Sequence, residues 1–127
     1  MGRAPRILVV DDNEVLRTLV AQALEGEGYV AIAADSGEAA LDVASFDPPD
    51  LCVVDQVMPG MSGAELIRAL RSSQDERLRR IPAIGLTGYT GAERELIAAG
   101  ACSAMPKPVC YGTLFERVRT VLGEQLH

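Results

Sequence analysis

Short apolar runs alternate along this chain with longer stretches whose apolar residues recur at helical spacing. Ile7-Leu8-Val9-Val10 is rich in β-branched residues and predicts a strand over about 6–10. Val15, Leu16, Leu19, Val20, Ala23 and Leu24 then recur with a period near 3.6, and Gly26 and Gly28 stop that helix. Tyr29 to Ala34 alternates loosely and reads as a second strand. Asp35 or Ser36 can cap a helix whose apolar face includes Ala39, Ala40 and Val43, and Asp47-Pro48-Pro49 ends it. The third strand, 51–54, is wholly apolar, as expected of a central strand covered on both faces.

After it, Met58-Pro59-Gly60-Met61 is rich in turn formers, and Ser62 can cap a helix carrying Leu66, Ile67 and Leu70. A polar stretch, 72–80, leads to a fourth strand at 81–86, a fourth helix at 90–99 ended by Gly100, and a fifth strand at 102–105. The last helix carries Leu114, Phe115, Val118, Val121 and Leu122. No internal repeat, low-complexity tract or linker interrupts the series. The pattern is that of an α/β fold, (βα)5, with a doubly wound parallel five-stranded sheet and helices on both faces, in one domain.

Parallel strands bring their carboxyl ends to one edge, where open α/β sheets bind ligands. In this chain those ends are polar. Asp11-Asp12 follows the first strand, Asp55 the third and Thr87 the fourth, and Pro106-Lys107-Pro108 follows the fifth. Three carboxylates, a hydroxyl and an ammonium would therefore converge from distant parts of the sequence.

Composition narrows what such a site can do. The only histidine is the terminal His127, which excludes Ser-His-Asp and Cys-His catalysis and a histidine-based zinc site. There is no tryptophan and the net charge is −6, against nucleic-acid binding. No apolar stretch is long enough to span a membrane, and Met1-Gly2-Arg3-Ala4-Pro5-Arg6 lacks a signal-peptide core, so the expected location is cytoplasmic. Cys52 and Cys102 lie inside apolar runs and are expected to be buried thiols. Charge is uneven: residues 1–64 carry three basic and eleven acidic side chains, residues 65–127 nine and seven. The acidic half holds the convergent carboxylates. Arg68, Arg71, Arg77, Arg79 and Arg80 are expected to form a solvated helix end and loop rather than a docking patch.

Like charges about 4 Å apart cost on the order of 4 kcal/mol per pair at an effective dielectric near 20. Three carboxylates at one strand edge must therefore take up a proton or hold a cation. Magnesium suits the second solution, because it takes one or two carboxylates together with waters and phosphate oxygens. The plainer alternative is that Asp11 and Asp12 only cap the first helix. Asp55 is the natural nucleophile, since a carboxylate can accept a phosphoryl group as an acyl phosphate. Lys107 and Thr87 would neutralise charge on the transferred group, and the flanking prolines would aim Lys107.

Val9-Val10-Asp11-Asp12-Asn13, Val53-Val54-Asp55 with Met58-Pro59-Gly60-Met61-Ser62-Gly63, Leu86-Thr87-Gly88, and Lys107-Pro108 together resemble the receiver domain of two-component response regulators. The likeness covers about residues 6–123 and implies the flavodoxin-like receiver fold. It also implies that Asp55 is the phosphoacceptor, that Asp12 ligates Mg²⁺ directly and Asp11 mainly through water, and that the backbone carbonyl of Val57 is a further metal ligand. Thr87 and Lys107 would contact the phosphoryl group, and the Lys107–Pro108 peptide would be cis. The implied partner is a sensor histidine kinase or histidine phosphotransfer protein. A homodimer through the face of the fourth helix, fifth strand and fifth helix is a further expectation. Leu86-Thr87-Gly88-Tyr89 and Pro106-Lys107-Pro108 look most like receivers of hybrid sensor histidine kinases; a free-standing receiver fits equally.

The sequence departs from the pattern at Ala104, where many receivers place an aromatic residue three positions before the lysine. The aromatic part of the switch is missing, and signalling through that face would be weaker or would use another residue, Tyr89 being a candidate. Beside the phosphorylation switch stands a second function class, a phosphate-independent docking module, but such pseudo-receivers usually lose one of the positions present here. Enzymes are disfavoured: a haloacid-dehalogenase-type phosphatase wants an acid where Val57 stands, and neither GxGxxG nor a P-loop follows the first strand.

Overall fold

A computed structural model describes residues 3–126, with side chains through Gly123. Met1, Gly2 and the sole histidine, His127, lie outside the described residues. The chain runs β1 (Arg6–Val10), α1 (Glu14–Gly26), β2 (Val30–Ala34), α2 (Gly37–Phe46), β3 (Leu51–Asp55), α3 (Gly63–Arg71), α4 (Glu76–Arg79), β4 (Ala83–Thr87), α5 (Ala92–Ala99), β5 (Ser103–Pro106) and α6 (Tyr111–Leu126). The five strands form one parallel sheet in the order β2-β1-β3-β4-β5. The predicted doubly wound sheet is therefore observed. The fourth and fifth predicted helices are α5 and α6.

Alternation along the strands explains the two helical layers. Leu8, Val10, Cys52, Val54 and Ala83 pack with Ala40 and Ala44 of α2, Leu66, Ile67 and Leu70 of α3, and Leu96 of α5. Ile7, Val9, Leu51, Val53, Ile84 and Leu86 pack on the other face with Val20 and Leu24 of α1 and Leu114, Val118 and Leu122 of α6. β3 and β4 are buried throughout, as their apolar runs require.

Three differences from the sequence reading have physical causes. The polar stretch 72–80 contains the one-turn helix α4, capped by Asp75 and anchored by the buried Leu78. β4 begins at Ala83 because Ile81 and Pro82 only lead into the ladder; the Pro82 carbonyl accepts the Cys52 N–H, and proline has no N–H to return. Cys102 is exposed, since it precedes an edge strand, and its thiol donates to the Ala83 carbonyl at 3.2 Å. Cys52 is buried as expected, and burial pushes its thiol up to about 12.

Candidate functional site

The strand order reverses between β1 and β3, one leading outward to β2 and the other to β4 and β5. Such a switch point opens a crevice at the carboxyl ends of the two strands. Asp55 is the last residue of β3, and Asp11 directly follows β1, its N–H still bonded to the Ala34 carbonyl at 3.2 Å. Both aspartates are buried, and Asp12 is exposed beside them. One carboxylate oxygen from each of the three can be chosen so that all lie within 4.8 Å of one another.

Lys107, just past β5, places Nζ 2.7 Å from Asp55 Oδ1 and 3.8 Å from Asp11 Oδ2. The peptide joining it to Pro108 is cis, as the family resemblance implies. Its own N–H donates to the Thr87 carbonyl at 2.7 Å, which fastens the lysine to the end of β4. The Thr87 side chain is buried and closes a small turn with Tyr89, accepting from the Tyr89 N–H at 3.3 Å and donating to its carbonyl at 3.4 Å. All five side chains singled out in the sequence therefore belong to elements that end at one sheet edge, and Asp11, Asp55 and Lys107 touch or nearly touch. Val57 lies in the loop after β3 and is 58% exposed.

The electrostatics are unbalanced. Burial, then the nearby Asp11 and Asp12 charges, push the Asp55 carboxyl above its ordinary value, and the Lys107 hydrogen bond opposes them. One ammonium faces three carboxylates, which leaves an excess negative charge in a half-closed site. A hard divalent cation with oxygen preference fits this donor set, and a soft metal seeking sulfur or imidazole does not.

Several supporting residues escaped the sequence reading. Asn13, not either aspartate, caps α1, its side chain accepting the Leu16 N–H at 3.0 Å, so Asp11 and Asp12 are not needed there. Asp11 Oδ1 accepts from the Asn13 N–H at 2.9 Å, and Arg17 Nη1 donates to the Asp11 carbonyl at 2.8 Å. Gln56 is buried next to Asp55, and its Oε1 accepts the Ala64 N–H at 2.8 Å. Ser62 caps α3 as the sequence predicts, and Glu65, which was not singled out, completes a reciprocal capping box that Ser-x-x-Glu signals.

At Ala104 the missing aromatic is matched by other small residues. Ala104 pairs with Gly85, and Leu96 of α5 fills the position a Gly85 side chain would take, 2.6 Å from where its Cβ would stand. From α6, Arg117 Nη1 donates to Ser103 Oγ at 2.6 Å and to the Ala104 carbonyl at 3.0 Å. A cationic side chain thus grips the strand that an aromatic would otherwise flank.

Comparison with known proteins agrees with this geometry. A family model for the response regulator receiver domain matches residues 7–119. The polar-differentiation response regulator DivK of Brucella ovis is 35% identical over 120 residues, spanning 93% of this chain and 96% of DivK. Among solved structures, a response regulator from Chloroflexus aurantiacus superposes with a TM-score of 0.88 at 30% identity, covering 94% of this chain and 98% of that one. The receiver domain of the sensor histidine kinase PA1611 from Pseudomonas aeruginosa, solved with magnesium coordinated in its active-site cleft, gives 0.86 at 27% identity, over 94% and 98% of the two chains. Fold, clustered aspartates and sequence match agree: the chain belongs to the response regulator receiver domain family of two-component signalling.

Proposed function

We propose that residues 1–127 act as one cytoplasmic receiver domain, a switch that accepts a phosphoryl group from a phosphohistidine partner onto Asp55. The observation that carries this reading is the Lys107–Asp55 contact of 2.7 Å inside a cluster of three carboxylates. Asp11, Asp12 and Asp55, with the Val57 carbonyl, would hold Mg²⁺, which supplies positive charge to the phosphoryl oxygens. The magnesium in the cleft of the PA1611 receiver supports that choice of cation.

A carboxylate oxygen of Asp55 attacks phosphorus while the donor's N–P bond breaks, and the electron pair leaves with the histidine nitrogen. The Lys107 ammonium stays within reach of the reacting group and offsets its charge. The Thr87 hydroxyl, now occupied with Tyr89, is free to exchange that 3.3–3.4 Å turn for a stronger bond to an anionic oxygen. Loss of the group to water restores the carboxylate. The phosphoryl group would shift a pre-existing equilibrium only by its differential interaction with two conformations. Arg117, which reaches from α6 to β5, is the natural connection to the α5–β5–α6 face, where a homodimer or an attached domain would read the state.

The test is intact mass after incubation with Mg²⁺ and either acetyl phosphate or a phosphohistidine donor, beside Asp55→Asn and a metal-free control. A gain of one phosphoryl group, lost in both controls, is expected. No gain from either donor with the fold intact by circular dichroism would leave a phosphate-independent docking module.

A further inference from the structure

Gln56 follows the candidate phosphoacceptor, and three of its polar atoms are committed to the loop beyond it. Its N–H donates to the Leu86 carbonyl at 2.9 Å, which extends the β3–β4 ladder one residue past Asp55. Its carbonyl accepts the Gly63 N–H at 2.9 Å, and its Oε1 accepts the buried Ala64 N–H at 2.8 Å. One residue therefore binds both ends of the loop 57–62, and its side chain takes a first-turn N–H that α3 would otherwise leave without an acceptor.

The closure is tight. A side chain at Gly63 would place Cβ 2.5 Å from the Asp55 carbonyl oxygen and 3.0 Å from the Gln56 Cα, so the chain returns onto the backbone of Asp55 itself. The loop is held from below as well, by the buried Met58 and by Met61, which packs on Gly37 of α2. Val57, at the exposed start of this loop, has no anchor of its own comparable to the side-chain bond of Gln56, and lies 58% open to solvent. Gln56 is buried, and its side-chain oxygen is committed to Ala64.

We propose that Gln56 is a positioning residue, whose side-chain bond to Ala64 holds the loop so that the Val57 carbonyl is available to the metal. This rests on the reading of the site as a Mg²⁺-dependent phosphoacceptor. A partner one bond removed from a ligand commonly changes metal affinity by about 10–100-fold. The energetic logic is that a metal bound to a carbonyl on an untethered loop must also order the loop.

The experiment is Mg²⁺ titration followed by amide chemical shifts, with a circular dichroism melt of each protein. Gln56→Met keeps length without an acceptor, Gln56→Asn is one methylene too short to reach Ala64, and Gln56→Glu keeps an acceptor oxygen at the same reach. Mg²⁺ affinity should fall about tenfold in Gln56→Met and Gln56→Asn and stay within about threefold of wild type in Gln56→Glu. The Mg²⁺ concentration giving half-maximal acetyl phosphate labelling should move by the same factor, with the rate at saturating Mg²⁺ unchanged. Should Gln56→Met not fold, Gln56→Asn carries the comparison. Wild-type Mg²⁺ affinity in both, with only a lower melting temperature, would overturn the proposal and leave the site reading intact; so would a Gln56→Glu as weak as Gln56→Met. A wild-type protein that binds no Mg²⁺ would remove the site reading and this inference together.

Discussion

Two charged clusters lie in this molecule, one acidic at the carboxyl edge of the sheet and one basic where α3, α4 and α5 meet. Four of the five arginines in the basic cluster have partners, and Arg68 is exposed to solvent. Arg71 donates Nε and Nη2 to the Gly100 carbonyl at 3.3 and 3.0 Å and Nη1 to the Arg79 carbonyl at 3.1 Å. Arg77 pairs with Asp75 at 2.8 Å, Arg80 with Glu76 at 2.6 Å, and Arg79 donates to the Ser73 carbonyl. The acidic cluster is less evenly partnered. Lys107 reaches Asp55 and Asp11, and among the described residues Asp12 has no hydrogen bond or ion pair. Like charges are gathered in both places, but four of the arginines are spread over main-chain carbonyls and paired acids, whereas three carboxylates share one ammonium. The number of charges does not separate structure from function here; the balance of their partners does.

The comparison can be broken most directly at Asp12. If its carboxylate is kept for a cation, Asp12→Ala should lower Mg²⁺ affinity about a hundredfold, equivalent to about 2.7 kcal/mol. Melting in metal-free buffer should not fall, because the substitution removes a repelling charge and no bond. Calorimetric Mg²⁺ titration and a thermal melt read the two effects separately. A melt that fell while Mg²⁺ binding held would make Asp12 a structural residue and erase the contrast.

The opposite split is expected at Arg71. Arg71→Met removes three hydrogen bonds to two main-chain carbonyls, one of them at the glycine that ends α5. The loss should be about 2 kcal/mol of stability, a fall in Tm of about 8 °C, with Mg²⁺ affinity at the wild-type value. Denaturant and thermal unfolding measure the first and the same titration the second. Weaker Mg²⁺ binding in Arg71→Met would mean that the basic region communicates with the acidic one.

The sequence carried the acidic cluster further than the basic one for the same reason. Strand ends are legible: an apolar run that stops at Asp55, Thr87 or Asp11 states which residue emerges at the edge, and parallel pairing does the rest. Partnership is not legible, because it depends on chain segments brought together by folding. Arg71 and Gly100 are 29 residues apart, and nothing local tells that the first caps the second. The same limit hid Gln56: a polar residue directly after a fully buried strand should have raised the question of its partner, but Ala64 is a backbone donor and leaves no sequence mark. α4 was missed because a four-residue helix with one buried leucine has no period to read. Cys102 was misjudged because an apolar run beside an edge strand resembles one in the centre.

The smallest of the three effects sharpens the comparison by its sign. Burial and the neighbouring aspartates raise the Asp55 carboxyl above its ordinary value of 3.8. A carboxyl whose folded value is raised binds more protons folded than unfolded, so stability is highest below the unfolded value and falls as pH rises through the folded one. Asp55→Asn cannot ionise and should not share that fall. In metal-free buffer its melting temperature, compared with wild type at each pH, should gain most at neutral pH and lose that gain as pH drops towards 3.8. The gain should be modest, because the substitution also gives up the charge of the 2.7 Å contact with Lys107, which opposes the burial penalty. Excess Mg²⁺ should stabilise wild type more than Asp55→Asn, and so narrow or reverse the gap at neutral pH. A wild-type protein that instead gains stability on Asp55, relative to Asp55→Asn, as pH rises without metal would mean that Lys107 alone balances the cluster. The acidic region would then be as balanced by its own partners as Arg71, Arg77, Arg79 and Arg80 are.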